Sequence, residues 1–209
     1  KADEAGQEYF ATIARNIRAN RDSGRRSYLE VGFQRQHYHT CAPATLSVLA
    51  AYWGRPVDHL ELSEEICYDG TPGHESRTWA KNNGWLVREF TLSRRVALAL
   101  IDRGIPFALT TISPGSGHMQ AVIGYDTVRG VLEVRDPYIR QDLSFLIEQV
   151  LEKYVSTGPS CMLMIPPEKG ALLDEIELPD QELYDLLYQI QCSLHEHKRT
   201  AAVEVFQEM

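Results

Sequence analysis

The stretch "QRQHYHTCAPATLSVLAAYW", residues 34–53, constrains this chain more than any other. A polar segment turns, at one cysteine, into an apolar run with Leu46, Leu49, Ala50 and Trp53 at i, i+3, i+4 and i+7, the spacing of a helix. Pro43 falls in the first turn, where a missing N–H costs least, and Gly54 closes the run. Cys41 therefore stands at a helix N-terminus, and the rest of the fold has to be arranged around that helix.

Other elements follow from periodicity. Residues 5–20 read as a helix with Phe10, Ile13 and Ile17 on one face, broken by "RDSGRRS". Two shorter helices are expected at 58–67 and 75–82. Then come a strand ("WLVREFTL"), a helix capped by Gly104 and a buried strand ("IPFALTTI"). After the loop "SPGSG", the segment "HMQAVIGYDTVRGVLEVRDPY" reads as a hairpin around the turn "DTVRG". Leu143, Leu146, Ile147, Val150, Leu151 and Tyr154 mark an amphipathic helix, "SCMLMIP" a last strand, and "PPEKG" a linker to two tail helices in 180–208, broken near "HEHKR". The pattern is α+β: a helix-rich first half, an antiparallel sheet in the second, and flanking helices. The expected division is a helical extension (1–30), a core domain (31–167) and an acidic tail (168–209).

The chemistry centres on Cys41. A lone cysteine is most often a packing residue, and a thiol attacks well only as a thiolate, which helix N-terminal amides and a nearby imidazolium both favour. His118 opens the first strand of the hairpin and Asp136 closes the second, just before Pro137. If the hairpin folds near residues 127–128, the two are opposite or one diagonal step apart, on one face because their parity matches. Such neighbours lie ~5–8 Å apart, within side-chain reach. The carboxylate can then hold one imidazole nitrogen while the other faces a thiol arriving on a helix, the nucleophile–base–orienter arrangement of acyl transfer. A developing oxyanion needs donors. The N–H of Cys41 is one, and Gln36 or Gln34, five and seven residues upstream, is a candidate second.

Taken together, "QHYHTCAPATLSVL", "GHMQAVIGYD" and "RDPY" resemble the papain-like double-glycine leader peptidases, which trim bacteriocin precursors at their exporters, and their stand-alone relatives. The resemblance spans roughly residues 31–166. It implies a papain-like fold and a thiol-dependent peptide or amide hydrolase working through an acyl-enzyme. It assigns Cys41 as nucleophile, His118 as general base, Asp136 as orienting acid and Gln36 as oxyanion donor. It also implies a peptide or protein substrate and a bacterial origin. Passing the acyl group to an amine instead of water is the same chemistry with a different second nucleophile. One departure is Ala42, where the family usually has Gly. It supports the alternative of a non-catalytic papain-like module that binds peptides or serves as a scaffold. The tail is similar to a tetratricopeptide-type helix pair, which implies a larger helical-repeat protein and a protein partner for the tail.

Composition narrows the rest. From Glu168 onward there are ten acidic and three basic residues, whereas residues 1–167 carry nineteen acidic and eighteen basic ones, and no basic stripe offers itself to a nucleic-acid backbone. No apolar run approaches the ~20 residues of a membrane span. Four cysteines without a CxxC pair point to a reducing, cytoplasmic setting. No cofactor and no metal are expected: His37 and His39 alternate with Cys41, but no carboxylate or second cysteine stands at ligand spacing. His195 and His197 are expected to be solvated, and Cys67, Cys161 and Cys192 to be packing residues. The segment "CYDGTPGHE" lacks the Lys-Ser/Thr of a phosphate loop and is expected to border the cleft. The opening on Lys1 reads as a piece of a longer chain.

Overall fold

The computed structural model describes residues 2–113 and 116–209, with side chains from residue 6 onward. One antiparallel sheet organises the chain, with neighbours in the order β2-β7-β3-β4-β5-β6. These are β2 (Leu86–Thr91), β3 (Phe107–Ser113), β4 (Ser116–Asp126), β5 (Val131–Arg135), β6 (Leu143–Leu146) and β7 (Ser160–Ile165). A short β1 (Arg26–Tyr28) pairs with the far end of β4, beyond the part that β3 covers. β1 thus joins the sheet although it precedes residue 31, where the expected core domain begins.

Strand alternation sends each face of the sheet to its own core. Ala108, Met119, Ala121, Met162 and Met164 pack with α2 (Cys41–Tyr52), α3 (His59–Ile66) and α4 (Gly73–Asn82). Phe107, Leu109, Val122, Cys161 and Leu163 pack with α5 (Arg94–Asp102) and α6 (Ile147–Lys153) on the other side. Between Val122 and Gly124 the β4–β5 pairing slips by one residue, so both Val122 and Tyr125 serve the second core. Gly124 is required there, because a Cβ would sit 2.7 Å from the backbone oxygen of Ser27.

The apolar helix at Cys41 is buried on every side from Ala42 to Ala50, not along one stripe. Three other expectations need correction. The segment 143–154 is not one helix: residues 143–146 pair with β5 as β6, and the helix starts at Ile147. β5 would otherwise end the sheet with unpaired backbone groups, and that demand outweighs a helical spacing of apolar residues. The loop before His118 is shorter than expected. Ser113 pairs with Ser116 and Ile112 with Gly117, while Pro114 and Gly115 lie outside the described residues. "PPEKG" runs into a 3₁₀ turn, Pro167–Leu173.

At the N-terminus, α1 (Ala2–Asn20) rests on the hairpin. The Tyr9 hydroxyl donates to the Ser144 carbonyl and the Asn16 amide to the Arg129 carbonyl, at 2.9 and 2.8 Å. In the tail, α7 (Gln181–His195) and α8 (Arg199–Glu208) form an antiparallel pair, with α7 packed on α4 and β2. Among the described residues no helix is long and apolar enough to cross a membrane.

Candidate active site

The thiol is set in place by the bare edge of β4. Before Ala121, β4 has no β5 partner, and the start of α2 lies against it instead. The Thr45 hydroxyl donates to the Met119 carbonyl at 3.0 Å, and the Met119 N–H is directed to the Cys41 sulfur. Cys41 and Thr45 are one helical turn apart and face the same way. The two backbone groups of one strand residue therefore hold the helix so that its first sulfur lies beside His118.

His118 and Asp136 share a face as their parity requires, one diagonal step apart. His118 Nε2 lies 2.8 Å from Asp136 Oδ2. The opposite carboxylate oxygen accepts the Tyr138 N–H at 2.7 Å, so the Asp-Pro turn fixes the acid before it meets the imidazole. With Nε2 engaged, Nδ1 is left to face Cys41, whose neighbouring side chain is among the causes of the raised His118 pKa. Asp136 is 7% exposed and Cys41 half-buried.

The electrostatics follow. Asp136, bonded to the ring, and then the neighbouring Cys41 raise His118 against the pull of its own burial to a pKa of about 9. Burial pushes the Cys41 thiol up. The neighbouring His118 and the N–H groups of Met119 and Ala42 outweigh that, and the net shift is downward. Asp136 is likewise held low by His118 and by the Tyr138 and Ile139 amides, against its burial. Both shifts favour a thiolate beside an imidazolium. Cys161, fully buried and pushed well up by burial alone, is the inert contrast in the same chain.

Thr40, the residue ahead of the helix, gives it no side-chain cap. Its hydroxyl accepts the His37 N–H at 2.8 Å and lies 3.2 Å from His59 Nε2, so the first amides of α2 stay available at the sulfur. Sequence reasoning missed His59. It is 5% exposed, stacks on His37 and contacts Gln34 as well as Thr40. Burial and the neighbouring His37 hold it below its ordinary pKa, as a neutral brace. A single histidine opening a helix gives no sequence signal for that role.

The two glutamines separate. The Gln34 amide is occupied by His59 and the Arg35 carbonyl. The Gln36 backbone N–H donates to the Pro137 carbonyl at 2.9 Å, which ties it to the Asp136 turn, and its Oε1 is buried without a partner among the described residues. Ala42 is 4% exposed and belongs to the core around α2. His39 adopts a left-handed backbone (φ 57°). It is held by Asp69 at its ring and by the Cys67 thiol at its carbonyl. Cys67 is therefore not a packing residue, and residues 67–69 do meet the turn that leads into Cys41. Tyr38, Tyr68 and Tyr138, one from each neighbouring loop, are exposed.

Comparison with known proteins agrees with this fold. The peptidase domain of Streptococcus ComA, a bifunctional ABC transporter of a quorum-sensing pathway, superposes with a TM-score of 0.51 at 18% identity, over 65% of this chain and 98% of that one. A double-glycine-motif protease from an AMS/PCAT transporter, solved in complex with the leader peptide, gives 0.50 at 15% identity, over 67% and 94%. The fold is the expected papain-like one. No curated protein matches the chain. The model of the Peptidase_C39-like family matches residues 28–162, a span that holds Gln36, Cys41, His118 and Asp136. With a match over more than half its length, the chain belongs to the Peptidase_C39-like family.

Proposed function

We propose that the protein is a cysteine peptidase that cleaves a peptide or amide bond through an acyl-enzyme. Cys41 is the nucleophile, His118 the acid and base, Asp136 the residue that orients His118, and Gln36 an oxyanion donor. The observation that carries the reading is His118 bonded through Nε2 to Asp136 and lying beside a thiol at a helix N-terminus, each of the pair shifting the other's pKa. The Cys41 thiolate adds to the scissile carbonyl carbon. The oxygen takes the negative charge, facing the Cys41 N–H and the Gln36 side-chain amide. As the carbon–nitrogen bond breaks, the His118 imidazolium gives its proton to the leaving amine. Neutral His118 then takes a proton from water, which attacks the thioester and releases the acid. An amine in place of water would make the same site an acyl transferase.

The leader peptide bound by the transporter protease supports a peptide substrate here, and so do the three exposed tyrosines on the loops that neighbour the site. The burial of the Ala42 methyl weighs against the scaffold alternative, for which Ala42 as a sequence departure and the acidic tail speak. The test is incubation with a peptide library and a thiol-directed activity probe, read by mass spectrometry. Probe adducts at Cys41 and cleaved peptides are expected, both lost in a folded Cys41→Ala variant. Labelling of Cys41 no faster than of Cys192, with no cleavage, would return the protein to the scaffold reading.

A further inference from the structure

A second cluster lies away from the thiol, where the tail meets the core. α4 and α7 run antiparallel. Most of their contact closes in ordinary pairs: Arg77 with Asp185, the Thr78 hydroxyl with that of Tyr188 at 3.0 Å, and Lys81 over the Tyr188 ring. The end where α4 starts and α7 finishes closes differently. His74 Nε2 lies 3.3 Å from Glu75 Oε1, and His195 Nε2 lies 3.6 Å from the same oxygen. All three atoms fall within 4.8 Å of one another. His74 Nε2 is nevertheless buried with no hydrogen-bond partner among the described residues. Its approach to the carboxylate is close but makes no hydrogen bond.

Two imidazoles and a carboxylate are donors that zinc takes. Tetrahedral bonds of ~2.0–2.2 Å hold ligand atoms about 3.3–3.6 Å apart, the two spacings found at Glu75. The third spacing closes by rotating His195, whose side chain is 62% exposed. We propose that His74, Glu75 and His195 bind one zinc ion, which staples the end of α7 to the start of α4 and leaves a fourth position for water. α4 packs on the Cys41 helix, while α7 lies beyond the family match, so the ion ties the tail to the peptidase-like core. The expectation of no metal was argued at His37, His39 and Cys41, where ligand spacing is lacking. Here the ligands come from helices more than a hundred residues apart, which spacing does not reveal.

The test uses the chain with Cys41→Ser, so that the reactive thiol offers no competing site. The protein is stripped with a chelator and titrated with Zn²⁺ against a chromophoric chelator, then with Co²⁺. One equivalent is expected to bind, with intense tetrahedral Co²⁺ d–d bands and no thiolate charge-transfer band. His195→Ala and His74→Gln should each weaken binding by more than the ~10–100-fold that losing an outer-shell partner costs. Zinc should raise the melting temperature of the parent but not of His195→Ala, whose far-UV circular dichroism should match the parent. Absence of stoichiometric binding would overturn the proposal. So would binding that survives both substitutions, or a thiolate band, which would move the ion to a cysteine.

Discussion

Each catalytic candidate is tuned by a neighbour, so the ionisation of one residue reports on another. In the native protein Cys41 should alkylate with iodoacetamide at pH values below the ordinary thiol range, because its pKa is lowered. His118→Asn removes the imidazolium, and the midpoint of the rate–pH curve should move up toward the free-thiol value of ~8.5. Measuring the adduct by mass spectrometry across pH checks both curves; coincident midpoints would mean that the two side chains are uncoupled. The high-pH limit has its own sign. His118 is protonated below about 9, so the ion pair persists from the lowered thiol pKa up to that value and is lost above it. Asp136→Asn takes away the largest cause of the raised His118 pKa. The upper limb of the activity profile should then shift to lower pH, and turnover should fall. Deleting the base itself with His118→Ala should cost on the order of 10²–10⁴-fold in kcat. Cys41, His118 and Asp136 were legible because strand parity and a helix start are local properties. The choice between Gln36 and Gln34 was not: it depends on which amide His59 occupies, and His59 arrives on another helix.

Individual elements owe their positions to unpaired backbone. α2 is fastened to β4 through Met119, and Thr45→Val removes the hydroxyl that satisfies the Met119 carbonyl in a buried setting. An unmet buried acceptor costs ~1–3 kcal/mol, so urea denaturation should show a loss of that size. Slower alkylation of Cys41 should accompany it as the sulfur loosens from the strand. Unchanged stability would mean that the helix is held by its apolar contacts alone. The same backbone demand explains where periodicity misled. Residues 143–146 carry a helical spacing yet become a strand, because β5 presents an open edge to them. "RSY" at 26–28 has no alternation to read, and becomes a strand because β4 outruns β3. A pattern of side chains reports which faces are apolar; it is silent about which edges lack partners.

At the scale of the whole molecule, one buried cation stands among the contacts that join the tail to the core. Arg77, 7% exposed, bonds to Glu89 on β2 at 2.9 Å and to Asp185 on α7. Those two partners hold its own pKa up against burial, whereas at Glu89 burial outweighs the pairing and the net shift is upward. Arg77 is therefore the group that opposes the effect of burial on that carboxylate. Arg77→Ala should destabilise the protein toward the low end of the ~3–5 kcal/mol seen when one member of a buried pair is removed, since Asp185 is partly exposed. Denaturation should also lose cooperativity as α7 and α8 come free. An unchanged single transition would place the stability of the tail elsewhere. The likeness of that tail to a tetratricopeptide pair rests on its sequence; the structure contributes one antiparallel helix pair docked on α4 and β2. By itself, the sequence determined the α+β class, the helix headed by Cys41, and the hairpin that carries His118 and Asp136 on one face. Apolar spacing, strand parity and turn residues act within a few residues of one another, and so can be read along the chain. Only the tertiary structure decided the β1 and β6 pairings, the brace at His59, the separation of the two glutamines and the meeting of His74 with His195. Each of these depends on which distant backbone or side-chain group still lacks a partner once the local elements have formed.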